Sequence, residues 1–329
     1  MSKTAIIYYN QLSENPQPDE LDVLEQAAMV ETALNELGYK VQQLPFSFDL
    51  QRAIKEINNL KPDLIFNLVE SIDNNGEFCY FAPAIFNFLQ VPYSGVPLEA
   101  MFNTTNKILA KELFRAKGIS TADWYNMDQL DQLKTDRRYI LKPAWEEGSL
   151  GIDAHCVFHG GDTDYIQKLR KYPKGRYFIE ELIDGREYNI SVLGGNKGPE
   201  VLPLAEMQFL DFPADKPRIM GYTAKWNEDS FEYEHTRRTY DFPTEDIPLR
   251  KTLETLALKC WNEFNMSGYI RVDLRLDHNN IPYVLEINTN PCLSENGGFY
   301  AASMKKGYTF KDIMERVVED ALRMKMGNS

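Results

Sequence analysis

Residues 269–276 read YIRVDLRL, residues 282–288 read PYVLEIN, and a short polar segment containing DHNN lies between them. Both segments are largely apolar and rich in β-branched residues, which predicts two antiparallel strands joined as a hairpin. Residues two apart on a strand point to the same face, and neighbouring antiparallel strands bring their side chains together. The hairpin therefore predicts that Asp273, Glu286 and Asn288 converge at one place.

Two carboxylates and an amide oxygen make a set of hard oxygen donors, which suits Mg²⁺ completed by phosphate oxygens and water. The alternative, which the hairpin alone leaves open, is a polar row on a solvated strand face. Arg271 lies two positions before Asp273 and is predicted to share its face. Two roles are open for this arginine: pairing with the acids, or stabilising negative charge on a reacting carbonyl or phosphoryl oxygen.

The composition narrows the class of protein. The chain has 329 residues, of which 43% are hydrophobic and 26% charged, as in globular proteins of two or three lobes. Its net charge of -13 disfavours nucleic acid as a partner. No segment has the pattern of a targeting signal or the roughly 18–20 apolar residues of a membrane span, so we expect a cytosolic protein without a membrane partner. The four cysteines lack metal-ligand spacing.

Strands and helices alternate in the predicted N-terminal part. Apolar segments at 4–9, 41–46 and 63–69 enclose helical periodicities at 21–37 and 50–60, which predicts a parallel sheet with helical crossovers. The remaining predicted strands lie at 137–144, 155–158, 177–183, 186–193 and 201–209. The remaining predicted helices lie at 81–89, 98–102, 106–117, 163–171, 247–265 and 309–323. Residues 211–246 are polar and aromatic, and we expect a structureless active-site loop there.

A glycine-rich segment follows one predicted strand. In YILKPAWEEGSLG (139–151), Lys142 ends the strand, and Gly148, Ser149 and Gly151 follow it. Glycines allow backbone N–H groups to turn toward an anion, and the lysine adds a positive charge. The segment is either a flexible loop that covers phosphates or a plain turn between two strands.

A second candidate segment is FIEELIDGREYNI (178–190), in which Glu180 and Glu181 end a strand and Glu187 follows closely. One interpretation is a solvated acidic connector. The other is a connector between two nucleotide-binding lobes, whose backbone reads an adenine edge and whose carboxylate holds ribose hydroxyls.

Five motifs occur in a characteristic order: NTTNKILAKELF, LKPAWEEGSLG, FIEELIDGREYNI, RVDLRL and LEINTNP. In their order and spacing the chain resembles the D-alanine–D-alanine ligase family of the ATP-grasp superfamily, most strongly over residues 92–325. The resemblance implies an α/β (α+β ATP-grasp) fold. It places a parallel-sheet lobe at 1–96, one ATP-grasp lobe at 97–182, and a second at 183–329 that carries the metal site and an omega loop at 211–246.

The resemblance also implies roles for single residues. Arg271 matches an arginine that stabilises an oxyanion, and Lys225 in GYTAKW matches an omega-loop lysine that closes over the γ-phosphate. Ser149 is assigned to catalysis with them. Asp273, Glu286 and Asn288 match the ligands of one or two Mg²⁺ ions. The residues matched to ATP contacts are Lys107, Lys142, Glu147, Gly148, Ser149, Gly151, Glu180, Glu181, Ile183, Glu187 and Lys225.

The implied reaction joins a carboxylate to an amine: ATP forms an acyl phosphate, and an amine attacks it to give a peptide bond. The implied substrates are small amino acids or peptide-like molecules, and the family suggests a homodimer formed through the N-terminal lobe. Three alternatives remain. They are a ligase for other L- or D-amino acids or a peptide-like metabolite, a phosphotransferase on the same fold, and a nucleotide-binding regulator without catalysis.

The substrate side departs from the family pattern. NQLSENPQPDELD stands where a glycine-rich turn is usual, and Glu70 stands where a histidine is usual. Trp226 replaces a tyrosine, and the usual Pro-Gly-Met reads Pro-Cys-Leu at 291–293. We therefore expect the ATP half to be kept and the substrate to differ from two D-alanines. The candidate substrate contacts are Glu70, Cys292, Ser294 and Gly297.

Overall fold

A computed structural model of the protein describes residues 3–146 and 148–327. The N-terminal sheet contains β1 (Lys3–Asn10), β2 (Tyr39–Phe46) and β3 (Leu64–Leu68), all parallel, in the order β2-β1-β3. Helices α1 (Pro18–Glu36) and α2 (Leu50–Leu60) connect these strands, and α3 (Phe81–Phe88) follows them. Every residue of β3 is buried, as expected for an apolar strand covered on both faces. The predicted parallel sheet is confirmed.

The second sheet is antiparallel. Helices α4 (Leu98–Thr105) and α5 (Lys107–Ala116) precede it, and α6 (Thr163–Leu169) lies between its last two strands in the chain. Its strands lie in the order β4-β7-β5-β6. They are β4 (Trp124–Asn126), β5 (Arg138–Pro143), β6 (Val157–His159) and β7 (Tyr177–Glu181).

The third sheet is also antiparallel and contains the predicted hairpin. Its main path runs β11-β10-β8-β12-β13, and β9 pairs with β8. The strands are β8 (Glu187–Leu193), β9 (Glu200–Val201), β10 (Ala205–Phe209), β11 (Thr236–Thr239), β12 (Tyr269–Leu276) and β13 (Pro282–Asn288). The helices of this region are α7 (Tyr222–Trp226), α8 (Phe231–Glu234), α9 (Ile247–Glu263), α10 (Gly298–Lys306) and α11 (Phe310–Gly327).

Several local expectations were wrong. Residues 211–246 are not structureless, because they contain α7, α8 and β11, and β11 extends the third sheet at its edge. The single strand expected at 201–209 is split into β9 and β10, since Pro203 cannot donate to a strand ladder. The strand expected at 155–158 begins at Val157, after a 3₁₀ turn. Strand β4 and helix α10 were not predicted.

One hydrophobic core joins the two ends of the chain. Val23, Ala27 and Val30 of α1 pack in the same cluster as Ile313 and Val317 of α11. This core fixes the N-terminal sheet beside the third sheet, so that the polar end of α1 faces the candidate site. Within the two described segments, no helix is long and apolar enough to cross a membrane.

Candidate active site

The hairpin register places the predicted acidic residues side by side. Asp273 on β12 lies directly opposite Glu286 on β13, and Arg271 lies opposite Asn288. On the other side of β12, Asn189 of β8 pairs with Asp273 and donates from Nδ2 to its Oδ1 over 2.9 Å. Asp273 is only 7% exposed. The two carboxylates therefore lie in a partly buried site rather than on a solvated strand face.

Cations neutralise both carboxylates. Arg271 donates from Nε and Nη2 to the two oxygens of Asp273, each over 2.7 Å, so pairing with an acid is the role that the structure displays for it. Lys107 Nζ lies 3.0 Å from Glu286 Oε2. Burial raises the pKa of Asp273 although Arg271 opposes this. Burial acts the same way on Glu286, but Lys107 and Lys225 outweigh it and lower the pKa of that carboxyl to about 2.

The oxygen donors fit a divalent cation in their chemistry. Two ionisable carboxylates on adjacent strands and one amide are the few protein ligands that Mg²⁺ takes beside phosphate and water. Across the described segments, no group of three or more His, Cys, Asp and Glu side chains has the arrangement of a metal site. A cation here would therefore depend on phosphate oxygens for the rest of its coordination.

A buried carboxylate holds two lysines together. Glu180, which is 2% exposed, lies with Oε1 2.7 Å from Lys142 Nζ and with Oε2 2.6 Å from Lys111 Nζ. Burial alone would raise the pKa of Glu180, but the two lysines outweigh it and lower that pKa. Burial also lowers the pKa of Lys111, against the attraction of Glu180. The ammonium group of Lys142 is therefore fixed in the cleft by an ion pair with a carboxylate and is not simply solvated.

A small cavity of about 80 Å³ lies between the second and third sheets. That volume is well below the roughly 300–1,000 Å³ of ordinary ligand pockets, so a nucleotide needs more space than this cavity has in the structure. The predicted site residues that line it are Lys107, Lys142, Ser149, Glu180, Ile183, Glu187, Lys225, Asp273 and Glu286.

One arginine, Arg275, binds both ends of the connector between β7 and β8. Arg275 donates from Nε and Nη2 to Oε2 of Glu187, and from Nη1 to the carbonyl oxygen of Ile183. Glu181 instead pairs with the exposed Arg137 over 3.0 Å and lines neither of the two cavities described here. The structure thus brings Glu180, Ile183 and Glu187 into the cleft and leaves the Glu181 side chain outside it.

The glycine-rich loop has a left-handed backbone at two glycines and at the serine between them. Gly148 and Gly151 have φ values of 66° and 71°, in the left-handed region that glycine adopts without strain, and Ser149 lies there too, at 65°, which a non-glycine residue rarely adopts. Ser149 Oγ donates to the carbonyl oxygen of Met220 over 2.7 Å. Glu147, the remaining predicted ATP contact, lies outside the described residues.

Residues 211–246 close over the cleft by contacts at three places. Trp226 Nε1 donates to the carbonyl oxygen of Gly148 over 3.2 Å. Thr223 Oγ1 donates to Asp153 over 2.7 Å, and Tyr222 donates from its hydroxyl to Asp19 of α1 over 2.9 Å. This segment also carries Lys225, whose pKa is lowered by burial and by Arg271. It therefore contacts both the glycine-rich loop and the N-terminal lobe.

A larger cavity of about 1170 Å³ opens beside the metal-site candidates. Lys225, Asp273 and Glu187 line both cavities, so the two spaces meet at these side chains. The other predicted residues that line the larger cavity are Glu70, Gly148, Gly151, Arg271, Asn288, Cys292, Ser294 and Gly297. The predicted substrate residues are thus on the side of the site away from Lys107 and Lys142.

The substrate side is tied to helix α1. Cys292 Sγ lies 3.1 Å from Asp22 Oδ2 and 2.8 Å from Ser294 Oγ. Burial, reinforced by Asp22, raises the pKa of the Cys292 thiol, which therefore stays protonated at neutral pH. The backbone of Glu70 is fixed by a hydrogen bond, in which its N–H donates to Asn10 Oδ1 over 2.7 Å.

Comparison with known proteins gives this geometry a family. The family described as "D-ala D-ala ligase C-terminus" matches residues 113–319. The chain belongs to the D-Ala-D-Ala ligase family. It is accordingly an ATP-dependent ligase that forms C–N bonds.

Relatives of the D-Ala-D-Ala ligase family resemble this chain along most of its length. It is 28% identical over 299 residues to "D-alanine--D-alanine ligase" of Rickettsia typhi, and the alignment covers 89% of this chain and 85% of that protein. It is 29% identical over 269 residues to "Uncharacterized protein y4sG" of Sinorhizobium fredii, spanning 80% and 76%. A crystal structure of D-alanine--D-alanine ligase from Bacillus anthracis complexed with ATP covers 100% of both chains, with a TM-score of 0.75 and 18% identity. That similarity confirms the predicted ATP-grasp fold.

Three residues of this D-Ala-D-Ala ligase family site were missed in the sequence. Lys111 lies one helical turn after Lys107, a spacing that shares a helix face. Arg275 lies two positions after Asp273, and Asn189 lies two after Glu187, spacings that share a strand face. The signal was therefore present, but the partner carboxylate that gives each residue its role is distant in sequence.

Proposed function

We propose that the protein uses ATP to phosphorylate a substrate carboxylate and joins the resulting acyl phosphate to an amine. The observation that supports this is the meeting of two cavities at Lys225 and Asp273. One cavity carries the two lysines placed to hold phosphates, and the other carries the predicted substrate residues. A phosphoryl group held at the junction would face a carboxylate in the larger cavity, which is the geometry that in-line transfer needs.

Each charged group has a task in this proposal. Lys107 and Lys142 bind phosphate oxygens. Lys225, which lies on the closing segment, contacts the phosphoryl group while it is transferred. Arg271 stabilises negative charge on the tetrahedral centre formed when the amine attacks. Asp273, Glu286 and Asn288 would hold one or two Mg²⁺ ions, which neutralise phosphate charge. Ser149 anchors the glycine-rich loop against residue 220, and closed loops exclude water from the acyl phosphate.

The nucleotide and substrate lobes follow the three sheets. We infer a substrate lobe at 1–96 and two ATP-grasp lobes at 97–182 and 183–329, with residues 211–246 as the segment that closes. The adenine and ribose are proposed to bind along Glu180, Ile183 and Glu187. A homodimer through the N-terminal lobe is part of the same proposal, and sedimentation measurements test it.

The substrate is proposed to be an amino acid or peptide-like molecule other than two plain D-alanines. Glu70 lines the larger cavity, where a carboxylate favours an ammonium group over a second carboxylate. Glu70→Gln is expected to raise the KM of the amine-bearing substrate and to leave the KM of ATP unchanged. Efficient D-alanyl-D-alanine synthesis together with an unaffected Glu70→Gln variant would show that the substrate is the ordinary one.

A product-resolved screen tests the proposed reaction. Purified protein with ATP and Mg²⁺ is given D- and L-amino acids singly and in pairs, and ADP and phosphate release are measured with mass spectrometry of the products. We expect ADP and phosphate to appear only with amino acid present, and hydroxylamine to trap the acyl phosphate as a hydroxamate. A stable phosphorylated product formed without an amine would instead identify a phosphotransferase, and ATP turnover independent of amino acids would refute the proposal.

A further inference from the structure

Strand β11 adds an arginine to the larger cavity. Thr236 and Arg238 lie two positions apart on this strand, point to the same face and line the cavity, whereas Arg237 between them is exposed. Met207 on β10 lies opposite Arg238 and lines the cavity too. The face of the third sheet that carries Arg271 and Asp273 therefore extends to Arg238 at the sheet edge.

Arg238 is a partly buried cation that no carboxylate neutralises. Within residues 3–146 and 148–327, no ion pair involves Arg238, and its Nε is buried without a hydrogen-bond acceptor. Its neighbours are Tyr240, Cys292 and Arg271, and burial together with Arg271 lowers the pKa of its guanidinium. The nearest polar neighbour of Arg238 is the hydroxyl of Tyr240, which is a neutral group and leaves the positive charge without an anionic partner among the described residues. Desolvating an arginine without an acid is unfavourable unless an anionic ligand completes the site.

Other unsatisfied polar groups line the same cavity. Asn290 accepts a hydrogen bond from the Tyr269 hydroxyl on Oδ1 over 2.9 Å, but its Nδ2 donor is buried without an acceptor. The buried hydroxyl of Thr236 likewise has no partner in the part of the chain that the structure describes. Both side chains line the larger cavity with Arg238. The cavity thus offers an amide donor, a hydroxyl and a guanidinium that require an acceptor.

The two arginines approach each other at the start of helix α10. A Cβ atom placed on Gly298 would lie 3.5 Å from Arg238 Nη2 and 3.8 Å from Arg271 Cδ. Arg271 already donates two hydrogen bonds to Asp273. Of this pair, Arg238 is the one whose planar fork is open to a carboxylate.

Arg238 lies in the larger cavity, away from the small cavity where the nucleotide phosphates are proposed to bind. The small cavity that holds Lys107 and Lys142 is not lined by Arg238. An anion bound at Arg238 is therefore on the substrate side, beyond the junction at Lys225. In a carboxylate–amine ligation the donor carboxylate reacts, so an amino acid that supplies the amine keeps its own carboxylate free.

We propose that Arg238 selects the amine-bearing substrate by binding its unreacted carboxylate, so that free amino acids are accepted and their amides are not. This inference rests on the proposed function, because it presumes that an amine attacks in the larger cavity. It adds a specificity-determining residue to that site.

The test compares free amino acids with their carboxamides as amine donors, by ADP release and product mass. We expect the wild-type protein to use the free acids. Arg238→Gln should raise the KM of the accepted amino acid by about 10–100-fold, the range of a lost charge-assisted hydrogen bond. The poor use of the amide, the KM of ATP and hydroxamate formation from the carboxylate donor should all stay unchanged. Arg237→Gln, on the same strand but exposed, is the matched control and should behave as wild type.

The outcomes separate the two proposals. Equal use of free acids and amides by the wild type, with products of ligation, would overturn the role of Arg238 and leave the ligase function standing. An Arg238→Gln variant that loses affinity for ATP, or for acid and amide alike, would show that the arginine acts on the nucleotide or on the fold. If neither acids nor amides stimulate ADP release, both proposals fail.

Discussion

Replacing Glu180 by glutamine is expected to destabilise the protein strongly, because the carboxylate is the anionic partner of two lysines. Lys111 has no exposed surface, and without Glu180 its remaining hydrogen bond is to Thr121 Oγ1 over 2.7 Å. The glutamine keeps the shape of the side chain but removes the charge and turns an amide donor toward an ammonium group. Removing one partner of a buried pair costs about 3–5 kcal/mol in the free energy of unfolding.

A loss of stability of this size can be measured by thermal unfolding. A loss of about 3–5 kcal/mol lowers Tm by about 4–7 °C if the 329 residues unfold together, which circular dichroism during heating resolves. Glu181→Gln is the matched control, because Glu181 is the next residue and its carboxylate pairs with Arg137 near the surface. Such a surface ion pair contributes about 0–1 kcal/mol to stability. Adding Lys111→Met to Glu180→Gln removes the stranded cation and should recover much of the loss.

Two results would refute this reasoning. One is a Glu180→Gln variant that unfolds within about 1 kcal/mol of the Glu181→Gln control. The other is a double variant that is less stable than Glu180→Gln by the full cost of a second core substitution. Either would mean that Lys111 is neutral or solvated in the folded protein, and that Glu180 does not neutralise it.

Three further perturbations test other parts of the structure. Glu286→Gln should keep the fold and lower kcat by about 10²–10³-fold or more, since it removes charge at the phosphoryl centre; wild-type turnover would exclude Glu286 from the site. Amide hydrogen exchange over residues 211–246 should slow when ATP and substrate bind together, and equal protection with and without ligands would contradict the closing role. Glu200→Gln should destabilise the protein by about 1–3 kcal/mol at pH 7, because Arg316, Tyr308 and Lys306 overcome the effect of burial and lower the pKa of Glu200 to about 2. The folded pKa lies below the unfolded value, so the difference from wild type should be complete above about pH 4.5 and disappear as the pH falls toward 2; a pH-independent difference in urea unfolding would disprove that origin.

The sequence predicted best what local periodicity determines. The alternation in β12 and β13 fixes which side chains share a face, so the pairing of Asp273 with Glu286 could be expected from the residues alone. The partners of Lys111 could not, because Glu180 lies 69 positions away and only the packing of α5 against β7 brings it within 2.6 Å. Helix α10 was missed because Gly297 and Gly298 predict a loop, although Gly297 serves as its N-cap. Strand β11 was missed because a polar edge strand depends on its neighbour β10 rather than on its own composition.

If Lys107 and Lys142 hold phosphates as proposed, their ion pairs with Glu286 and Glu180 make nucleotide binding an exchange of partners. A phosphate that reaches either lysine competes with an internal carboxylate, and its affinity is the difference between two sets of contacts. On the same proposal the released carboxylate of Glu286 would be exposed to an incoming divalent cation, which would make the binding of metal and phosphate mutually dependent. Substitutions near these pairs would then tune nucleotide affinity: a stronger internal pair would raise the apparent dissociation constant, and a weaker one would lower it.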